Sequence, residues 1–263
     1  MSRVDNARKA FLQKNPNAIK QAHSVDAIHK DIHHEEAHLT GFNLPEIILG
    51  GQDGLVNVLG VILGVAAATG SNQVVIVAGL AAAFAESISM GAVAYTSKVA
   101  EADYYQSEYE REKWEIEHVP EGEREEIRAL YENFGFKGKI LEEIVEKITS
   151  NKEVWLKVMM EQELKLEPIN RKDVIPSAFI VGISAIIGSF IPLTPFFFLP
   201  IHPASYLALG VSAITLFIVG FYKAKKTLGR QLMREGIKMM LIGMVSALVG
   251  FFIGSLFKVP PTS

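Results

Sequence analysis

Five apolar stretches dominate this chain, at roughly 44–69, 74–97, 174–198, 203–222 and 236–257. Each is about the 20 residues a helix needs to cross a ~30 Å hydrocarbon core. In lipid, a helix satisfies its backbone hydrogen bonds within the segment, so five such stretches point to an all-α membrane protein with five transmembrane helices. Composition agrees: hydrophobic residues make up 49% of the 263, and mean hydropathy is +0.23. The first forty residues are polar, carrying Arg3, Asp5, Arg8, Lys9 and Asp26, and show no apolar core of a cleavable leader. The first span is therefore expected to remain as an anchor.

The connections suggest an orientation. Cytoplasmic loops are rich in Lys and Arg. The link between spans four and five holds Lys223, Lys225, Lys226, Arg230 and Arg234, whereas 69–73 and 192–203 hold no Asp, Glu, Lys or Arg. The basic link, the N-terminus and the long 98–173 segment are expected in the cytoplasm, and the C-terminus outside. The third and fourth spans should be separated by Pro192, Pro195, Pro200 and Pro203, each unable to donate a helix hydrogen bond. Four regions result: a polar, His-containing helix at 1–40, spans one and two at 41–97, an acidic helical metal-binding domain at 98–173, and spans three to five with a short tail at 174–263.

Small residues recur four apart at Gly50/Gly54, Gly60/Gly64, Ser87/Gly91 and Gly250/Gly254. Such pairs let membrane helices approach closely. They fit packing within one chain or the seam of a homodimer.

The charge is uneven. Residues 98–173 hold 20 Asp and Glu against 13 Lys and Arg, a net of −7, leaving 9 acidic and 13 basic elsewhere. Such a segment has no attraction for nucleic acid. It reads as three helices, the first continuing out of span two, since no breaker separates Met90 from Ile116. Turns fall at Pro120-Glu121-Gly122 and at Asn133 to Gly138, and Ser150-Asn151 can cap the last helix.

There is no Cys, so a metal would have to be held by Asp, Glu, His or Met. Asp53 lies well inside span one, with Asn57 one turn on. A carboxylate at that depth costs about 2.5–3.5 kcal/mol on insertion scales and usually faces an interior pathway. Glu86 lies midway along span two, with Met90 one turn later on the same face. A carboxylate with a thioether suits a borderline divalent ion better than Mg²⁺ or Ca²⁺. In the acidic segment Glu108, Glu112 and Glu115 share a helix face, Glu123 and Glu126 follow at i, i+3, and Met159 and Glu163 at i, i+4. Met160 is a weaker candidate. Glu-rich helices are often only solvated faces. Like charges one turn apart repel, however, and no Lys is interleaved on that face, so a bound cation would turn repulsion into coordination. In the leader, His29/His33 and His34/His38 are each i, i+4, a spacing that can hold metal or merely mark an amphipathic surface helix.

Gly51-Gln52-Asp53-Gly54-Leu55, Ser87-Ile88-Ser89-Met90-Gly91, Glu101-Ala102-Asp103-Tyr104-Tyr105 and Trp155-Leu156 followed by Met159-Met160 resemble the vacuolar iron transporter family over about residues 40–257. The resemblance implies a homodimeric transporter, not an enzyme, that exports Fe²⁺, with Mn²⁺, Co²⁺ and Zn²⁺ as further candidate ions, driven by a proton gradient. It implies Asp53 and Met90 in the pathway, and Glu112, Glu115, Glu123, Glu126, Met159 and Glu163 as metal ligands. One departure is the carboxylate expected at Ala82; Glu86, one turn later on the same face, is its candidate replacement. With no targeting segment and compact loops, a prokaryotic cell membrane is expected, or a vacuolar one if the source is eukaryotic.

Two other classes compete. One is a membrane-anchored metal-binding or sensing protein, for which Asp53, Glu86 and Met90 would be needless. The other is a carboxylate-bridged di-metal enzyme, which calls for Glu-x-x-His pairs; the acidic segment offers Glu115 and His118 alone.

Overall fold

The structure is a computed structural model that describes residues 3–27, 44–227 and 231–257. The described residues are helical throughout, without strands. Two short helices open the chain, α1 (Arg3–Leu12) and α2 (Pro16–Ala22). Asn15 caps α2 by accepting from the Asn17 and Ala18 amides, and Pro16 takes the first helical position, where its missing N–H costs nothing. Then come α3 (Leu44–Thr69), α4 (Asn72–His118), α5 (Pro120–Asn133), α6 (Gly138–Thr149), α7 (Lys152–Val158), a π-helical turn (Met159–Glu163) and a 3₁₀ turn (Arg171–Asp173). The chain closes with α8 (Val174–Phe198), α9 (Ile201–Thr227) and α10 (Leu232–Leu256). Five helices, α3, α4, α8, α9 and α10, are long and apolar enough to cross a membrane.

The chain divides into two compact units, residues 92–178 and the remainder, with α4 contributing to both. In the spanning unit α3 is flanked by α8 and α10. A Cβ on Gly54 would lie 2.2 Å from the Ala185 carbonyl oxygen, and one on Gly50 2.2 Å from that of Val181. Toward α10 the contact is equally tight, since a Cβ on Gly254 would lie 1.9 Å from the Gly64 oxygen. Ser87 donates to the Gly182 carbonyl at 2.7 Å. All four small-residue pairs are therefore engaged inside one chain. Between them sits a core of Val58, Leu59, Ile62, Leu63, Val75, Leu193 and Phe196. Large apolar side chains also point outward along these helices, including Phe84, Ile88, Phe179, Ile187, Ile214 and Phe252. That is the expected surface of a protein whose solvent is lipid.

Pro192 and Pro195 do not break α8, which continues through both to Phe198. Membrane helices tolerate proline where side chains re-satisfy the freed carbonyls. Pro200 and Pro203 are the residues whose missing N–H groups leave the carbonyls of Phe196 and Leu199 short of a donor. Asn72, the first residue of α4, supplies both: its Nδ2 donates to Phe196 O at 2.6 Å and to Leu199 O at 3.3 Å.

The acidic unit contains the continuation of α4 and then three further helices, α5 to α7, one segment more than the sequence suggests. Pro120 starts α5 with Glu121 and Glu123 in its first turn, where the helix dipole favours them. Gly135 takes φ +96° in the turn before α6, a region closed to most other residues. Asn151 caps α7 by accepting from the Glu153 and Val154 amides. The core here is Ile116, Ile127, Leu141, Val145, Trp155, Leu156, Met159 and Met160.

Candidate metal sites

In the spanning unit, α3 presents Asp53 and, one turn on, Asn57. Helix α4 presents Glu86, whose carboxyl lies beside the Asp53 and Asn57 side chains. Small residues let these helices approach their neighbours closely, and each carboxyl directly precedes one of them, Asp53 before Gly54 and Glu86 before Ser87. Met90 follows Glu86 by one turn and is partly buried, whereas Ala82 packs against the apolar core. The constellation brought together is thus Asp53, Asn57 and Glu86.

In the acidic unit, Glu112 and Glu115 from α4 and Glu123 from α5 each place a carboxylate oxygen within 4.8 Å of the others. The Pro120 turn makes this possible by folding the α5 face back onto α4. Glu112 and Glu123 are 2% and 4% exposed, and their side chains are hydrogen-bonded to each other. Glu163, at the end of the π-helical turn, is hydrogen-bonded to Glu126. One oxygen on each of Glu112, Glu123 and Glu163 is buried without a partner. Buried polar atoms are ordinarily satisfied; those of Glu112 and Glu123 belong to the converging triple and fit a cation there. Met159, at the head of the π turn, is fully buried in the apolar core of this unit.

Burial and mutual repulsion raise the proton affinity of these groups. Glu123 is pushed up to about 8, first by burial and then by Glu126, Glu112 and Glu115. Glu163 is pushed up to about 7, by burial and then by Glu126 and Glu112. Glu112 is raised by burial, against the pull of Arg111. Near neutral pH the cluster retains protons, which a divalent cation would expel on binding.

The π turn and Arg111 were not legible as parts of this site. A π turn adds a residue to the helical repeat and is often found at functional positions. No composition signal marks it; Leu164 donates to Met159 O where an α-helix would pair residues four apart. No Lys is interleaved on that face, but Arg111 supplies a cation among the glutamates. Its guanidinium meets Glu108 at 2.8 Å, Glu112 at 2.6 Å and Glu115 at 2.5 Å. The signal was available, since Arg111 lies at i+3 from Glu108 and i−4 from Glu115. Glu108 is thereby committed to Arg111. Met160 is buried in the apolar core and lines a cavity with Tyr105, Tyr109 and Lys113. His118 bonds the Trp114 carbonyl through Nδ1 at 2.8 Å and stacks on the Trp114 ring. His33, His34 and His38, with His29, lie outside the described residues.

The sequence model of the VIT family matches residues 44–255, all five spans and the acidic unit together. The chain belongs to the VIT family. Among its relatives, Vacuolar iron transporter 1 of Arabidopsis thaliana is 33% identical over 221 residues, 83% of this chain and 88% of that protein. The Vacuolar iron transporter of Plasmodium falciparum is 33% identical over 263 residues, covering 96% of this chain and 95% of its own. Vacuolar iron transporter 1 of Oryza sativa subsp. japonica is 32% identical over 227 residues, 86% and 90% of the two chains. VIT-family membership thus embraces both clusters, the pair of carboxyls on the spanning helices and the glutamates of the acidic unit.

Proposed function

We propose that this VIT-family protein carries Fe²⁺, and related ions such as Mn²⁺, Co²⁺ and Zn²⁺, out of the cytoplasm in exchange for protons. The observation that carries the reading is the juxtaposition of Asp53, Asn57 and Glu86 on two membrane-spanning helices. Two carboxyls held side by side cannot easily both be ionised, so one of them favours keeping a proton. At low dielectric a carboxylate resists standing ionised alone. A divalent cation arriving between them supplies the charge and drives the proton off. Proton and metal then exclude each other, which is what an antiporter requires. Met90 adds a soft ligand one turn along that disfavours Mg²⁺ and Ca²⁺. Its place in the pathway, and assembly as a homodimer, rest on the family resemblance.

The acidic unit is read as the collector. Glu112, Glu115, Glu123, Glu126, Glu163 and Met159 would take the ion from the cytoplasm and raise its concentration near the spans. The basic 223–235 link supports a cytoplasmic placement for the N-terminus and this unit. The relatives' names speak of a vacuole; a cell membrane would serve the same export.

The test is Fe²⁺ flux into proteoliposomes of the purified protein with an imposed pH gradient. Uptake should follow the gradient and collapse when an uncoupler dissipates it. Metal binding without flux would instead favour a membrane-anchored sensor or store.

A further inference from the structure

Arg111 stands apart from the other paired cations of the acidic unit. Arg128 pairs with Glu125 and Glu142, and Arg171 with Asp103, all carboxylates on exposed side chains. Arg111 pairs with Glu112, which is 2% exposed, and with two flanking carboxylates, using its Nε and both terminal nitrogens. It takes one oxygen from each partner. Two of those partners, Glu112 and Glu115, belong to the carboxylate triple that could close around a cation. The other oxygen of Glu112 is the buried, unpartnered one. The same carboxylates are thus half committed to a guanidinium and half available to a metal.

A guanidinium cannot leave by losing its proton. A divalent ion among Glu112, Glu115 and Glu123 would bring two positive charges to the carboxylates that Arg111 already neutralises. At a few ångströms such charges repel strongly in a partly buried site. The Arg111 side chain is 45% exposed on a long, flexible stem, so it can swing into solvent when the ion arrives.

We propose that Arg111 is a built-in counter-cation of this metal site. It holds Glu108, Glu112 and Glu115 together until a divalent cation displaces it, and so lowers the affinity of the site enough for the cargo to move on. The proposal rests on the reading of the glutamate cluster as a metal site. It assigns Arg111 no part in coordination.

The test is calorimetric titration of the full-length protein in detergent with Mn²⁺ and with Co²⁺. Arg111→Gln should bind about tenfold or more tightly than the unaltered protein, because a repelling charge is gone. Arg111→Lys keeps the charge and should stay within about threefold. A merely structural arginine would give the opposite sign, since loss of packing weakens a site. Unchanged or weaker binding by a folded Arg111→Gln protein overturns the proposal, as does equal tightening by Arg111→Lys. Glu112→Gln with Glu123→Gln serves as the companion variant. If it leaves binding unchanged, the metal-site reading falls and takes this proposal with it. If it abolishes binding while Arg111→Gln changes nothing, only the counter-cation role is lost.

Discussion

The spanning unit and the acidic unit both bring carboxyl groups together, and they stabilise them differently. On the spanning helices Glu86 lies beside one other acid, Asp53, and one amide, Asn57. Among the described residues no guanidinium pairs with it. In the acidic unit at least four glutamates converge, and Arg111 compensates part of their charge. The difference follows from the solvent on each side. A permanent cation at membrane depth carries its own insertion cost of about 2.5–3.5 kcal/mol, so the cheaper way to hold a carboxyl there is to share a proton. Facing water, an exposed arginine stem costs little and can withdraw. On the proposed function, one site exchanges metal for a proton, and the other exchanges metal for protons and a side chain.

The sharpest way to break this comparison is to cross the two sites. Asp53→Ala should abolish Fe²⁺ flux into proteoliposomes while leaving metal binding by the acidic unit intact. Glu112→Gln with Glu123→Gln should weaken that binding by roughly 100-fold, the top of the range for groups that merely hold ligands in place, and leave residual gradient-driven flux at high Fe²⁺. Near-normal flux in Asp53→Ala would end the division of labour.

A smaller effect is expected from pH. The two tryptophans of the chain, Trp114 and Trp155, both lie in the acidic unit, so their fluorescence reports its unfolding within the whole protein. Glu123 and Glu163 hold their protons up to about 8 and about 7 when folded, against a normal 4.5 when unfolded. Their contribution to stability is complete below pH 4.5 and is lost as pH rises through 7 and 8. The urea midpoint without metal should therefore fall between pH 5 and pH 8. Saturating Mn²⁺ should offset the fall at the alkaline end, where deprotonated ligands bind best. A midpoint independent of pH would mean that these carboxyls are not buried as described.

The smallest effect belongs to the spanning unit alone. Asn72→Ala should leave the Phe196 and Leu199 carbonyls without their side-chain donor, at a cost of about 1–3 kcal/mol for a buried unpaired group. The thermal aggregation temperature in detergent should drop, with the tryptophan-reported urea midpoint unmoved. A shift in that midpoint would show that the two units do not unfold separately.

The sequence by itself determined the helices. Apolar runs of about 20 residues have one way to satisfy their backbones in lipid, and the four small-residue pairs announced close packing. Pro120, Gly135 and Asn151 marked the turns of the acidic unit through backbone rules that act locally. The candidate acids were also legible, because a carboxylate in a span or a face of unrelieved glutamates is costly enough to stand out. What stayed hidden depended on residues distant in the chain or on the exact helical repeat. That all four small-residue pairs serve contacts within one chain could not be read from spacing, which suits a homodimer seam equally well. Asn72 relieving Pro200 and Pro203 joins positions more than 120 residues apart. The π turn at Met159 alters the facing of Glu163 with no compositional trace. Arg111 sat in plain view, yet whether a guanidinium reaches outward to water or inward to a buried glutamate is a choice of rotamer, and only packing across α4 and α5 decides it.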